Sequence, residues 1–255
     1  MPDFGDILYD YFTLEVDRPL DDATAKKHIK KTKQILKIGI KKRVITVNPI
    51  ADFVCGGDQK EVLPLELDEV YTIYKKDFGI ERLNEVADAY IFQCFTGFAY
   101  QDLYNLTPEN IILVGPAKER WLIKDRGKTG VSEMVPILPV VEELIEKYRN
   151  HPKRLVNNQL IPVDSNANYN GYLKEIAVIC KINRELKTHL ARHTFADIML
   201  NLGVPLEDVS KMLGHKSIRT TQRYCRVNKE RISRNMKQFV KHALFNNMGE
   251  LKMVS

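Results

Sequence analysis

Apolar and polar positions change period several times along the chain. In "ATAKKHIKKTKQILKIGIKKR", Ala23 to Arg43, the residues Ala25, Ile29, Thr32, Leu36 and Ile40 recur at helical spacing and leave most of the lysines around the other faces, which predicts an amphipathic helix. Residues up to about Val54 read as helical, with Asn48-Pro49 closing the long helix, because the residue before a proline avoids the α region. The stretch "CGGDQKEVLP" has the composition of a linker, so a boundary is placed there, giving a helical segment over 1–58 and a larger domain over 59–255. Beyond it, "ELDEVYTIYKKDF" and "ERLNEVADAYIFQCFTGF" read as helices. The short apolar runs "IILV", "RWLI" and "MVPIL" follow, separated by "GPAKE" and "DRGKTGVSE", and predict a small antiparallel sheet. Helical patterns return in "PVVEELIEKYRN" and "NANYNGYLKEIAVIC". In the last third Thr188 is placed to cap a helix ending near Gly203, Pro205 opens a second that stops at Gly214, and Ser217 caps a third running through Tyr224. The fold class is therefore mainly α with a small antiparallel β-sheet.

With 255 residues and 44% hydrophobic content the chain can bury a proper core. No apolar run has the length of a membrane span, and "MPDFGDILYDYF" lacks the basic-then-apolar order of a signal peptide. The expectation is a cytoplasmic protein with no membrane partner. Cys55, Cys94, Cys180 and Cys225 are scattered, with no CxxC pair, which fits a reducing compartment.

Charge sharpens the picture. From Lys181 to Phe245 there are 14 Lys and Arg against 5 Asp and Glu, a surplus of 9, so the remainder sums to −3 against the net +6. The Ala23–Arg43 block adds nine Lys and Arg with no acid. Two basic blocks point to a polyanion, nucleic acid being the expected partner over a membrane surface, for which the helix lacks bulky aromatics. Lys26, Lys27, Lys30, Lys33, Lys37 and Lys41, with Lys216, Arg219 and Arg223, are the candidate phosphate contacts.

Candidate chemistry concentrates in "KTHLARHTFADIML". On a helix His189, Arg192 and His193 share roughly one face near an N-terminus whose free amides favour anions. In "MLGHKSIRTTQRY", His215 follows a helix-ending glycine and Tyr224 lies nine residues on. A tyrosine hydroxyl is a poor nucleophile unless cations and a base stand nearby. His193 reads as a structural histidine that buttresses this region. A zinc pair of His189 and His193 lacks the following glutamate, so no metal and no cofactor are expected.

The boxes "HLARHTFA", "LGHKSIRTTQRY" and "TGFAYQDL" resemble the signatures of tyrosine recombinases, the phage-integrase family, and their wording is closest to integrases of Bacteroidetes elements. The resemblance implies a catalytic domain from Glu61 to about Phe245, preceded by a partial core-binding domain, and DNA breakage and rejoining through a 3′-phosphotyrosyl link. It gives Tyr224 as nucleophile, Arg192 as the guanidinium holding the phosphate oxygens, His189 as acid/base and His215 as a phosphate donor. It also gives Lys128, in the turn between two predicted strands, as the acid for the departing 5′-oxygen. Four protomers on two DNA sites, from monomers in free solution, are implied, with "NKERISRNMKQFVKHALF" docking on a neighbour. The sequence departs from the family at Ala99, where the first arginine is expected; Arg126 or Arg120 is the candidate substitute. A rival reading takes "FADIMLNLGVPLEDVSKMLGHKSIRTTQRY" as a helix-turn-helix of a non-catalytic DNA-binding regulator, and Ala99 supports a third, an inactive recombinase.

Overall fold

The computed structural model describes residues 4–56, 62–125, 130–222, 224, 232–233 and 236–237. The chain divides into two compact units, residues 1–61 and 62–255; the junction placed from composition lies three residues earlier.

In the first unit α1 (Phe4–Asp10) runs into a π-helical turn (Tyr11–Glu15), and α2 (Asp22–Lys41) follows. The Asp21 carboxylate caps α2, accepting the Thr24 N–H at 3.0 Å. Ala25 and Ile29 are fully buried, whereas Ile40 at the far end of the stripe is exposed. The helix stops at Lys41 and not at Asn48-Pro49. Arg43 takes the left-handed conformation (φ 58°), and the Lys42 and Val44 N–H groups turn back to the Ile38 and Gly39 carbonyls. The β-branched run Val44, Ile45, Thr46, Val47 that follows resists helix. Lys33, read above as a DNA contact, donates to the carbonyls of Ala51 and Phe53 at 2.6 and 2.9 Å. It ties the returning loop to α2. Lys26 is paired with Asp22 at 2.7 Å, while Lys27, Lys30, Lys37 and Lys41 are exposed.

The second unit is mainly helical with one small sheet, as the periodicity predicts. Helices α3 (Leu67–Lys75), α4 (Glu81–Thr96) and the short α5 (Tyr100–Tyr104) lead to strands β1 (Ile111–Val114), β2 (Glu119–Asp125) and β3 (Ser132–Pro136). The strands are antiparallel in the order β1-β2-β3. Then come α6 (Pro139–Lys147), α7 (Pro152–Asn157), α8 (Asn166–Ile179), α9 (Thr188–Asn201), α10 (Leu206–Met212) and α11 (Ile218–Gln222). The sequence pattern did not foresee α5 and α7, which are too short to show a period.

Helix α4 is buried on nearly every side, and Gln93 and Asp88 find polar partners there. Gln93 donates to the Phe98 carbonyl and accepts from the Tyr169 hydroxyl, both at 2.9 Å. Asp88 accepts from Lys147 and from the Tyr148 hydroxyl, both at 2.6 Å; burial and this carboxylate push the Tyr148 phenol well up. A second apolar cluster joins Phe195, Ala196 and Leu200 of α9 to Val209, Leu213, Val135 and Tyr224.

Two local features aim α9. Thr188 is its first helical residue and not its cap; its N–H donates instead to Asn170 Oδ1 of α8 at 3.2 Å. The Thr194 hydroxyl donates to the Leu190 carbonyl and accepts the buried Leu65 N–H, both at 3.0 Å, so the strap entering the second unit is fastened to α9.

Gly97 closes α4 in the left-handed conformation (φ 74°), and a Cβ there would stand 2.5 Å from Phe195 and 2.8 Å from Leu213. Glycine is needed both for the turn and for this close approach. Gly97→Ala should therefore destabilise by about 2–4 kcal/mol, combining backbone strain and overpacking. Gly79→Ala, at a similar φ of 65° with nothing within 4 Å, should cost only about 1 kcal/mol. Urea unfolding of both variants checks the difference, and equal losses would remove the packing argument.

Candidate active site

The site is built where the turn after α4, strand β3 and the turn after α10 meet the first half of α9. At its centre is Arg192, 2% exposed. Its Nη1 donates to the Gly97 carbonyl and to Glu133 Oε1, both at 2.6 Å. Its Nη2 donates to the Leu213 carbonyl and approaches His215 Nε2 at 3.2 Å. An isolated buried guanidinium would be prohibitively costly; a planar fork with four acceptors, one of them a carboxylate, offsets the lost hydration. Glu133, 1% exposed in the same pair, comes from β3. Sequence reasoning missed it. A signal existed: Glu133 alternates in step with Val135, which also points inward, and a carboxylate at an inward strand position needs a cationic partner.

Because a guanidinium only donates, His215 Nε2 acts as acceptor and the ring proton sits on Nδ1, which donates to Thr221 Oγ1 at 2.8 Å. Thr221 is fully buried on α11, three residues before Tyr224. Tyr224 is 8% exposed, and its N–H returns to the Thr221 carbonyl at 2.9 Å. Its ring contacts two imidazoles: His215 at 5.6 Å and 23°, and His193 at 4.3 Å and 41°. His189 meets His193 edge-on at 5.0 Å. Burial pushes the His193 imidazole down to about 4, with the nearby His189 and Arg192 adding to the effect.

The structure thus brings together Arg192, His215, Tyr224, His193 and, through His193, His189. It does not bring Arg120 to them. Arg120 pairs with Glu142 on the exposed side, and the register sets Lys124, four residues further along β2, opposite Glu133, a separation of about 13 Å along a strand. Arg120 is therefore not the missing cation. Lys128, Arg126 and Arg223 lie outside the described residues, as do Cys225 and most of the C-terminal helix expected above. Ala99 caps α5 two residues after Gly97, so the position of the absent arginine belongs to the same turn whose carbonyl Arg192 holds. Lys216 and Arg219 are exposed beside His215 in the sequence. Among the described residues, the groups placed to share a cation are Glu81, Glu85 and His151, where Lys153 already donates to Glu85 at 2.5 Å; the histidines around Tyr224 form no such group.

Removing the Glu133 carboxylate while Arg192 stays buried leaves an uncompensated charge. Glu133→Ala should cost about 3–5 kcal/mol, and Glu133→Gln, which keeps an acceptor, distinctly less; indistinguishable urea midpoints would deny the ion pair its role. The His193 shift gives a second outcome. Its folded value lies below the ordinary 6.5, so the unfolded chain takes the proton first, and the contribution to stability is present above 6.5 and lost as pH falls toward 4. His193→Phe should flatten the decline in Tm across that window; an unchanged decline would contradict the assignment.

Residues 80–231 match the model of the phage integrase family. Among curated proteins, the chain is 31% identical over 148 residues to the tyrosine recombinase XerD of Halalkalibacterium halodurans, covering 54% of this chain and 48% of that protein. It is 28% identical over 195 residues to XerD of Staphylococcus saprophyticus, covering 71% and 64%. The chain thus spans about half to just under two thirds of these relatives. A solved structure of the Tn1549 transposon integrase in complex with circular intermediate DNA superposes with a TM-score of 0.65 over 91% of this chain and 84% of that one, at 16% identity, a likeness of fold. With the family match spanning more than half its length, the chain belongs to the phage integrase family.

Proposed function

We propose that the protein is a site-specific DNA recombinase that breaks and rejoins strands through Tyr224. The observation that carries this reading is the contact of His215 and His193 with one buried tyrosine ring, with Arg192 beside His215, in a chain of the phage integrase family. The Tyr224 oxygen attacks the scissile phosphorus, the P–O bond to the 5′-oxygen breaks, and a 3′-phosphotyrosyl link retains the bond energy. His189 takes the tyrosine proton and Lys128 supplies one to the departing 5′-oxygen. Arg192 and His215 hold the non-bridging oxygens as charge builds on them. For Arg192 to do so the phosphate must replace some of its present acceptors, and His215 must turn its proton toward the phosphate. The residues need no metal for these steps.

The lack of an arginine at position 99 removes a contact worth about 3 kcal/mol in comparable sites, and Arg126, between β2 and β3, is the remaining candidate to supply it. Duplex DNA is the proposed partner, held by the exposed Lys27, Lys30, Lys37 and Lys41 of α2 and by Lys216 and Arg219. Assembly would be as monomers in solution and four protomers on two sites, and the wording of the boxes points to an element of Bacteroidetes type working in the cytoplasm. One observation favours the inactive alternative: four donors of Arg192 are already engaged while Ala99 offers none.

Incubation with nicked suicide duplexes drawn from the DNA flanking its coding sequence separates the readings. The proposal expects a covalent protein–DNA band that disappears in Tyr224→Phe and falls at least about 100-fold in Arg192→Ala. Specific DNA binding with no band would establish the regulator or inactive recombinase instead.

A further inference from the structure

Resting on the recombinase reading above, we infer that His193 is a positioning residue for Tyr224, an imidazole wall packed on the tyrosine ring that fixes the ring's plane. His215 is the second imidazole in contact with that ring. The sequence left His193 as a buttress of the helix turn, with His189 as the histidine serving the tyrosine. The ring contacts give His193 a more direct part: His189 meets His193 at 5.0 Å, and His193 meets Tyr224 at 4.3 Å. Among the ring contacts of the described residues, the two histidines that touch Tyr224 are His193 and His215.

The wall is rigid because the residues on both sides of His193 are pinned. Arg192 is held by Gly97, Glu133 and Leu213, and Thr194 by the Leu65 N–H and its own bond to Leu190. The backbone bond from Tyr224 to Thr221 sets the height of the tyrosine above α11, but a backbone bond leaves the side-chain torsions to be chosen by what flanks the ring. Offset and tilted aromatic pairs at these separations are favourable contacts. Their depth also matters: Tyr224 is 8% exposed, the imidazoles and the apolar cluster that includes Val135 and Leu213 keeping the ring out of water. The depressed imidazole value of about 4 is consistent with a wall that stays uncharged at neutral pH, adding no further cation beside Arg192.

The test has one arm without DNA and one with it. Nitration by tetranitromethane, mapped by mass spectrometry, reads access to Tyr224, with exposed Tyr71 and fully buried Tyr169 as references. His193→Ala should raise nitration of Tyr224 several-fold while Tyr169 stays protected, showing that the core is intact. His193→Phe, which keeps a flat ring, should restore protection. On the suicide duplex at saturating DNA, His193→Ala should lower the cleavage rate about 100-fold, the scale of an ångström of misplacement, with half-saturating DNA concentration unchanged; His193→Phe should recover most of that loss. Unchanged Tyr224 nitration in His193→Ala, an unchanged cleavage rate, or a His193→Phe as slow as His193→Ala would each overturn the inference. A wild-type protein that protects Tyr224 through His193 yet never forms a covalent band would instead overturn the recombinase reading and leave the wall standing.

Discussion

The buried Arg192 guanidinium is the constraint on which the second unit depends. It gathers the end of α4, the middle of β3 and the end of α10 around one helix of side-chain anchors. The end of α4 and strand β3 are remote from α9 in sequence, while α10 is the next helix along the chain, and the Arg192–Glu133 pair is separated by 59 residues. Taking both charges out of water is expensive, and such a pair is seldom a net source of stability when compared with well-packed apolar side chains. Its value lies in specification: with one partner in place the other has no tolerable alternative, so β3 and the two turns are held in a single arrangement.

Proposed chemistry and fold share that arrangement. The hydrogen-bond chain continues from Arg192 through His215 to Thr221, and Thr221 precedes Tyr224 by three residues. The interactions that bury the arginine thus also set the tautomer of His215 and the position of the tyrosine. In the absence of DNA the guanidinium is occupied by protein acceptors, a state in which a phosphate must compete for it. The turn between α4 and α5 holds Ala99 and gives Arg192 the Gly97 carbonyl as one of those acceptors.

Much of the fold was legible because it follows from periodicity and punctuation. The three strands stood out as apolar runs between turn residues, and Pro205 and Gly214 marked helix ends that the structure keeps. The misses have physical causes. α2 ended early because Arg43 adopted a left-handed turn that no glycine announced. Lys33 looked like one more solvated lysine, yet two loop carbonyls claimed it; nothing in a run of like charges tells which member will be captured. In the site, Arg192, His215 and Tyr224 were readable as boxes. Glu133 was hidden because its meaning arises only when β3 is laid against α9, and His193 was undervalued because ring contact is a tertiary property.

The central claim is that this cluster is built around Tyr224 as the group that becomes joined to DNA. It is tested most directly by digesting the trapped protein–DNA complex and identifying, by mass spectrometry, the residue that carries the 3′-phosphate. The account predicts that the phosphate is found on Tyr224 alone among the 11 tyrosines of the chain. A phosphate carried by any other residue would contradict it.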